Sequence, residues 1–364
     1  MLRVLHVVTH MNRGGLETMI MNYYRKIDRS RVQFDFLVHR KEIADYDGEI
    51  ERLGGRIFRI PSLNPFSGKY KKALNSFFEN HMEYDIIHSH LDCMAGIPLK
   101  YAKKHNTVVR IAHSHGANQK KDIKYPLKIA FKSSINKYAN LRLACGEEAG
   151  KWMFKSDPFI VLPNAIDLEE FSYSEKTRNE IRRKMAVENK MVIGHVGNFT
   201  SAKNHTFLIK VFYEYYKRKR DTVLLLIGAG GGEENIQKLV QDLGLQRHVL
   251  FLGKRNDVSI LLQAMDIFIL PSLYEGFPVS IVEAQATGLP CIVSSSIDER
   301  CVLTAEVKRI SLADSAGTWA DHIDEILHNR RNRSSFHELL VKYDIIQNAK
   351  WLEDFYIEEV SKWH

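Results

Sequence analysis

Short apolar runs alternate with longer amphipathic segments along most of the chain. The runs have the apolar character of strands buried in a parallel sheet, and the segments between them repeat apolar positions at helical spacing. The predicted strands cover residues 4–8, 34–38, 56–60, 86–88, 108–112, 141–144, 191–196, 224–228, 249–253, 267–270 and 291–294. The predicted helices include residues 46–53, 70–80, 175–185, 233–243, 259–264, 319–327 and 344–360. This alternation predicts an α/β protein with doubly wound parallel sheets.

The chain is long enough for two domains. Its 364 residues are 45% hydrophobic and 26% charged, which is typical of a globular protein with two separate cores. The strand at 141–144 is predicted to be the last of the first half, and the alternation restarts at 191. We therefore predict one Rossmann-like domain at 1–168 and a second at 169–344.

The stretch 267–290 carries the most informative chemistry, because a strand, a turn and a helix N-terminus together favour an anionic ligand. Glu275 lies in the turn and Glu283 in the helix. Their separation is on the order of 12 Å at about 1.5 Å per helical residue, so they would contact different parts of one long ligand. A sugar nucleotide offers phosphates to the helix end and hydroxyls to the acids. The alternative is that Glu283 is a solvated helix residue and that Glu275 is an acid at the helix N-terminus, favoured there by the helix dipole.

The same stretch resembles a known family. Its segment 275–283, Glu-Gly-Phe-Pro-Val-Ser-Ile-Val-Glu, is similar to the Glu-x7-Glu motif of glycosyltransferase family 4, the retaining enzymes of GT-B fold that use nucleotide sugars. Segments 14–17 and 197–204 resemble the family's Gly-Gly-x-Glu and Gly-Arg-x4-Lys-Gly/Asn motifs. Segment 163–167 resembles Pro-Asn-Gly-Val-Asp, with Ala165 in place of the glycine.

The resemblance implies a fold and an activity. Two Rossmann-like domains would face a central cleft, and a C-terminal helix at about 345–364 would pack back on the first domain. The activity would be that of a hexosyltransferase of capsule or exopolysaccharide synthesis.

The resemblance also implies residue roles. Glu283 would hold the ribose hydroxyls, Glu275 the hexose hydroxyls and Lys203 the diphosphate, while the backbone of 277–279 would contact the leaving phosphate. Asn198 stands where arginine is common, so either it offers a neutral donor or Arg13 supplies the charge. The full donor-binding set is Gly14, Gly15, Asn198, Lys203, Glu275, Gly276, Phe277, Pro278, Val279 and Glu283.

Two histidines are candidates for the acceptor side. His113 and His115 follow the strand predicted at 108–112, and ligands of open α/β sheets bind at the carboxyl ends of strands. We predict that His115 positions the acceptor or the sugar, with His113 and Arg13 as further acceptor-side candidates. The alternative for each histidine is a structural bond to a loop carbonyl. The predicted catalytic set is His115, Glu275 and Lys203.

No metal and no cofactor are expected. The four cysteines show no zinc spacing, and the pairs His88 with His90 and His113 with His115 have no third ligand nearby in the sequence. Lys203 with preorganised N–H groups would stabilise the leaving phosphate without a metal. The nucleotide sugar is a substrate, and UDP is the expected nucleotide.

The positive charge lies in the first half of the chain. Residues 1–170 carry 27 Lys and Arg against 19 Asp and Glu, a net charge of +8, which equals the net charge of the whole chain. The segment 120–137, as a helix from 126, places an apolar stripe beside lysines and predicts binding to an anionic membrane surface. A solvated face is the alternative. With no secretory signal in the sequence, we expect a cytoplasmic protein, peripheral on the inner face of the cell membrane.

Two rival functions remain open at this point. A sugar-nucleotide 2-epimerase can share the GT-B fold and would interconvert donor sugars without an acceptor. A nucleic-acid-binding protein would use the basic segment 100–137, but aromatic residues for base stacking are not interleaved there. The expected partners are therefore a nucleotide sugar, a glycan or polyprenyl-linked acceptor and an anionic membrane surface, and no nucleic acid.

Overall fold

The computed structural model describes residues 1–116, 125–275, 277–328, 333 and 338–363. The chain divides by its internal contacts into two compact units. Unit 1 comprises Met1–Ala165 and Ile345–His364, and unit 2 comprises Ile166–Asp344. The boundary predicted from the sequence is at 168.

Unit 1 contains a parallel sheet of seven strands. These are β1 (Leu2–Val8), β2 (Val32–Val38), β3 (Ile57–Arg59), β4 (Ile86–Ser89), β5 (Val109–Ser114), β6 (Leu141–Ala144) and β7 (Ile160–Val161). Their order in the sheet is β3-β2-β1-β4-β5-β6-β7. The strand order reverses between β1 and β4, and ligands of such sheets bind beyond the carboxyl ends of the strands at that point. The register places His6 of β1 opposite His88 of β4.

Unit 2 contains a parallel sheet of six strands. These are β8 (Met191–Val196), β9 (Thr222–Ile227), β10 (Val249–Phe251), β11 (Ile267–Leu270), β12 (Cys291–Ser294) and β13 (Val307–Ile310). Their order is β10-β9-β8-β11-β12-β13, so the reversal here lies between β8 and β11. A Cβ at Gly194 in β8 would lie 1.9 Å from the Met265 sulfur, so only glycine allows this close packing.

Helices connect the strands in both units. They are α1 (Gly15–Lys26), α2 (Asp47–Arg52), α3 (Gly68–Asn80), α4 (Gly96–Lys104), α5 (Tyr125–Lys132), α6 (Ile135–Tyr138), α7 (Glu147–Phe154), α8 (Glu175–Lys184), α9 (His205–Arg218), α10 (Glu233–Asp242), α11 (Val258–Ala264), α12 (Val279–Ala286), α13 (Ala316–His328) and α14 (Ile345–Ser361). Helix α14 belongs to unit 1, where Leu352 and Tyr356 pack into one core with Val4 and Phe34. Among the described residues, no helix has both the length and the apolar character needed to cross a bilayer.

The structure corrects the sequence prediction at several elements. Helices α4, α7 and α9 and strand β13 were not predicted. Strand β7 follows β6, so 141–144 is not the last strand of the first half. Strand β5 continues through Ser114, so His113 lies within the strand and not after it. The segment 120–137 forms α5 and α6 from Tyr125 onward, and its residues 120–124, with Lys120, Lys121 and Lys124, lie outside the described residues.

Candidate active site

Two turns of unit 2 lie side by side where the strand order reverses. The turn after β8 ends at Lys203, and the turn after β11 contains Glu275. The backbone N–H of Leu273 donates to the Ala202 carbonyl at 2.8 Å and joins the two turns. Lys203 Nζ lies 2.7 Å from Glu275 Oε1, and the two side chains are 17% and 15% exposed. Two predicted site residues from distant segments are thus brought into contact.

A glycine-rich turn after β9 supports the turn that carries Lys203. A Cβ at Gly228 would lie 2.2 Å from the Gly197 carbonyl oxygen, and its φ of +142° is rarely adopted by other residues. The N–H of Gly232 donates to the Phe199 carbonyl at 3.1 Å, where a Cβ would also clash. These glycines fix the backbone from 197 to 199 by direct backbone packing.

Glu283 is buried inside α12. The residue is 8% exposed, so the alternative that it is a solvated helix residue is wrong. Burial raises the pKa of its carboxyl to about 7, an effect to which the charge of Glu170 adds and which the charge of Lys203 opposes. Burying a polar group costs free energy unless the group is hydrogen-bonded. A ligand that brings hydrogen-bond donors would therefore stabilise this carboxyl. Glu170 was not predicted, because it belongs to no motif.

The entry into α12 holds three more predicted donor-binding residues. Pro278 is the N-cap of α12 and Val279 is its first residue. The Phe277 ring stacks on Tyr343 with centroids 5.2 Å apart, which anchors the turn through its side chain. Backbone N–H groups of a first helical turn have no partner within the helix, so this end of α12 suits an anion. Gly276 lies outside the described residues.

Asn198 lies in the turn after β8, at the motif position where arginine is common. Its carbonyl accepts from the Thr200 N–H at 2.6 Å. The residue is half-buried. Lys203 is therefore the cation that this turn itself supplies.

The turn after β1 in unit 1 carries the Gly-Gly pair and Arg13. A Cβ at Gly14 would lie 2.5 Å from a Glu17 carboxylate oxygen, whereas a Cβ at Gly15 would have nothing within 4 Å. Burial raises the pKa of Glu17 to about 7. The Arg13 guanidinium lies 5.5 Å from the centroid of the Tyr46 ring. The atom that a Cβ at Gly14 would meet is the end of a flexible side chain, which can move, so packing within unit 1 requires glycine at neither position.

Five histidines of unit 1 form one cluster at the carboxyl ends of β1, β4 and β5. We call His6, His88, His90, His113 and His115 the histidine cluster. His90 contacts two of the others, with its Nε2 2.9 Å from His6 Nδ1 and its Nδ1 2.8 Å from His115 Nε2. His88 Nε2 lies 3.1 Å from His113 Nδ1, and His88 Nδ1 lies 2.7 Å from the Tyr356 hydroxyl of α14.

The cluster is buried and its imidazoles are neutral. Burial lowers the pKa of His115 to about 3, and it lowers the pKa values of His88, His90 and His113 well below the ordinary value. His115 is half-buried, whereas His113 is 1% exposed. The alternative that each histidine bonds a loop carbonyl does not describe these contacts, because the histidines bond one another. His113 is therefore placed behind His115 and not beside an open surface.

The premise that the histidine pairs lack a third ligand is wrong. Ligand atoms of His6, His88 and His90 lie within 4.8 Å of one another, and so do those of His90, His113 and His115. The sequence could not show this, because His6 is some eighty residues from His88 in the chain and they meet only through the pairing of β1 with β4.

Comparisons with known proteins bear on this site. The family model described as Glycosyltransferase Family 4 matches residues 13–170, and the model described as Glycosyl transferases group 1 matches residues 177–339. A Bacillus subtilis (strain 168) protein named as the glycosyltransferase EpsF is 36% identical over the whole chain and 98% of its own length.

The chain belongs to glycosyltransferase family 4. An Escherichia coli relative of this glycosyltransferase, UDP-Gal:alpha-D-GlcNAc-diphosphoundecaprenol alpha-1,3-galactosyltransferase, is 25% identical over 99% of this chain and 97% of its own. The crystal structure of Anabaena HepE in complex with UDP and glucose superposes with a TM-score of 0.82 over 98% of this chain and 99% of that one, at 16% identity. The predicted GT-B fold is confirmed.

The predicted membrane helix of the glycosyltransferase differs from expectation. The predicted stripe comprises Leu127, Ala130, Phe131, Ser134 and Ile135. Of these, Ile135 is buried, Leu127, Phe131 and Ser134 are half-buried, and Ala130 is exposed. The Lys132 ammonium also points inward, donating to the Trp152 carbonyl and lying 4.2 Å from the centroid of that ring. The stripe is therefore partly covered by unit 1 and partly exposed.

Proposed function

We propose that this glycosyltransferase moves a hexose or N-acetylhexosamine from a UDP-sugar to a glycan or polyprenyl-linked acceptor in surface polysaccharide synthesis. The reaction retains configuration and needs no metal. The observation that carries the proposal is the Lys203–Glu275 ion pair next to α12, the helix that holds the buried Glu283. One cation, one helix N-terminus and two acids match the diphosphate and the two hydroxyl-bearing rings of a nucleotide sugar.

Lys203 binds the diphosphate by exchanging its partner. The ammonium leaves Glu275 for a phosphate oxygen, so it keeps a counter-charge throughout. The negative charge that develops on the departing phosphate is stabilised by Lys203 and by N–H groups at the start of α12. Glu275, freed from the ion pair, accepts hydrogen bonds from the hexose hydroxyls.

Glu283 binds the ribose. Its carboxyl is buried, and two hydroxyl donors satisfy its two oxygens once the nucleotide is bound. Hydrogen bonds to an ionised acceptor are about twice as strong as neutral ones, so binding favours the carboxylate. Donor binding therefore draws a proton from Glu283.

His115 positions the acceptor hydroxyl. Its ring is neutral because burial lowers its pKa to about 3. A neutral imidazole both accepts and donates a hydrogen bond, so His115 can orient a hydroxyl without taking up its proton permanently. The acceptor oxygen then attacks on the face from which the diphosphate leaves, as the bond between the anomeric carbon and the diphosphate oxygen breaks. The proton of the acceptor hydroxyl passes to the departing phosphate oxygen, and the configuration is retained.

Two relatives support the choice of donor and acceptor. The Escherichia coli relative is named for UDP-Gal and for an acceptor sugar on diphosphoundecaprenol. The HepE crystal structure contains UDP. These names favour UDP as the nucleotide and a polyprenyl-linked glycan as the acceptor.

A lipid-linked acceptor brings the enzyme to a membrane surface. In unit 1, Phe66 is 69% exposed and its ring lies 6.2 Å from that of Phe131, and Ile129 of α5 is also exposed. Lys69 and Lys72 of the adjacent helix α3 are exposed. An exposed aromatic side chain beside lysines is suited to the surface of an anionic bilayer, at about 1 kcal/mol for each lysine.

A thermal-shift panel of nucleotide sugars tests the proposed donor. A ligand present at 100 times its Kd stabilises the folded state by about 2.7 kcal/mol, so a UDP-sugar should raise the Tm measurably. Lys203→Gln should remove most of the shift, because the diphosphate loses its cation. Lys210→Gln, a change of an exposed lysine on α9, should not. A panel in which no UDP-sugar shifts the wild-type protein would contradict the proposed donor.

A further inference from the structure

We propose that His90, His113 and His115 form a binding site for a transition metal ion of the Zn²⁺ or Co²⁺ type, and that metal bound there inhibits the enzyme. The three residues come from the ends of β4 and β5, and each offers one ring nitrogen within 4.8 Å of the other two. Three imidazole nitrogens without a carboxylate suit Zn²⁺, Co²⁺, Ni²⁺ or Cu²⁺ and not Mg²⁺ or Ca²⁺.

The ring orientations show which nitrogens would bind. His90 Nδ1 and His115 Nε2 already face each other at 2.8 Å. His113 Nε2 is buried and has no hydrogen-bond partner in the described part of the chain. Zinc–nitrogen bonds of 2.0–2.1 Å in a tetrahedral site separate the ligand atoms by about 3.3 Å, so the His90–His115 contact needs to open by only about 0.5 Å.

The second ring nitrogens of His90 and His113 have the partners that metal-bound histidines require. If His90 binds through Nδ1, its Nε2–H donates to His6 Nδ1 at 2.9 Å. If His113 binds through Nε2, its Nδ1–H donates to His88 Nε2 at 3.1 Å, and His88 Nδ1–H donates to the Tyr356 hydroxyl at 2.7 Å. Partners of this kind fix the tautomer and the ring orientation of a metal ligand. Every proton in the cluster then points away from the metal.

The exposure of the site is also suitable. Metal ions bind the neutral imidazole through a ring nitrogen that carries no proton. His90 and His113 are buried, while His115 is half-buried and leaves room for a fourth ligand from solvent. Three histidines with one open position resemble a zinc site that exchanges its fourth ligand.

Inhibition follows from the identity of His115, and this step rests on the proposed function. A metal on His115 Nε2 holds the ring that would otherwise position the acceptor hydroxyl. Zn²⁺ should therefore lower the rate of transfer, and a chelator should restore it. The enzyme itself works without the ion.

Titration with Co²⁺ tests the site without any substrate. The full-length protein is prepared without a polyhistidine tag, and the visible absorption of tetrahedral Co²⁺ is followed to its end point. We expect one ion per chain. His115→Gln should weaken binding at least tenfold, and Tyr356→Phe, which keeps the ring but removes the hydroxyl, by about tenfold. His105→Gln, which changes a half-buried histidine outside the cluster, should bind as the wild type does.

The outcomes separate the two parts of the proposal. A wild-type protein without the tetrahedral absorption, or a His115→Gln protein that binds Co²⁺ equally well, overturns the metal site. Binding of one ion without any effect of Zn²⁺ on transfer overturns the inhibitory role and supports the site. A protein that binds Co²⁺ as expected but transfers no sugar supports the site and refutes the proposed function alone.

Discussion

The affinity of this glycosyltransferase for a UDP-sugar should depend on the ionisation of Glu283. Burial raises the pKa of this carboxyl to about 7, whereas two ribose hydroxyls favour its ionised form. At pH 6 about a tenth of the carboxyl groups are ionised, and at pH 8 about nine tenths are, as a pKa near 7 requires. The affinity should therefore rise about tenfold from pH 6 to pH 8, which is about 1.4 kcal/mol.

Isothermal titration calorimetry with a UDP-sugar measures this dependence. UDP itself is unsuitable, because a terminal phosphate titrates near pH 6 and would add its own pH dependence. Binding at pH 7 should release about half a proton per ligand, since about half of the carboxyl groups are protonated before binding. Repeating the titration in buffers of different ionisation enthalpy gives that number directly.

Glu283→Gln is the control for this prediction. An amide does not titrate, so its UDP-sugar affinity should be lower and flat from pH 6 to pH 8, with no proton released. The wild type should also lose stability relative to this variant as the pH rises from 4.5 to 7, because its folded state holds a proton that its unfolded state has lost. Wild-type affinity that is flat over this range, without proton release, would refute the role of Glu283.

Three further predictions concern the glycines, the metal and the membrane. Gly15→Ala should leave the Tm unchanged or slightly higher but lower the transfer rate at least tenfold. The control is Gly68→Ala at the first residue of α3, where a Cβ would likewise have nothing within 4 Å, and it should leave the transfer rate unchanged. Transfer should survive EDTA, and loss of activity that Mg²⁺ or Mn²⁺ restores would contradict this. Phe66→Ser should reduce flotation with anionic liposomes. Met82→Ser, which changes an equally exposed side chain (69%) just beyond the other end of α3, should not. Equal flotation of the Phe66→Ser protein and the wild type would argue against this membrane contact.

The fold could be predicted from the sequence where strands are apolar throughout. Strand β11 matches its prediction, and helix α12 ends before Gly288, whose φ of +63° favours glycine. Strand β13 was missed, because its sequence Val-Lys-Arg-Ile contains two charged residues and the strand is only partly buried. Helix α4 was not predicted because Pro98 lies in its first turn. Proline is tolerated at that position, but in a sequence it is also typical of a helix break.

Only those residues of the candidate site that belong to sequence motifs could be predicted. Lys203 and Glu275 were assigned separate roles, and their ion pair was not foreseen because the two turns meet only in the folded sheet. The histidine cluster depends on strand order and register, which place His6 opposite His88 and bring β5 next to β4. The spacing of residues in the sequence gives neither the strand order nor the register. His6, His88 and His90 were therefore not predicted as site residues.

The transfer reaction itself is the most direct test of this account. The purified enzyme is incubated with a UDP-sugar chosen from the thermal-shift panel and with a polyprenyl-diphosphate-linked sugar, and the product is analysed by mass spectrometry and NMR. We predict that UDP is released only when the acceptor is present, and that the new glycosidic bond has the anomeric configuration of the donor. Conversion of the donor to another sugar nucleotide without acceptor, or a product of inverted configuration, would contradict the proposed retaining transfer.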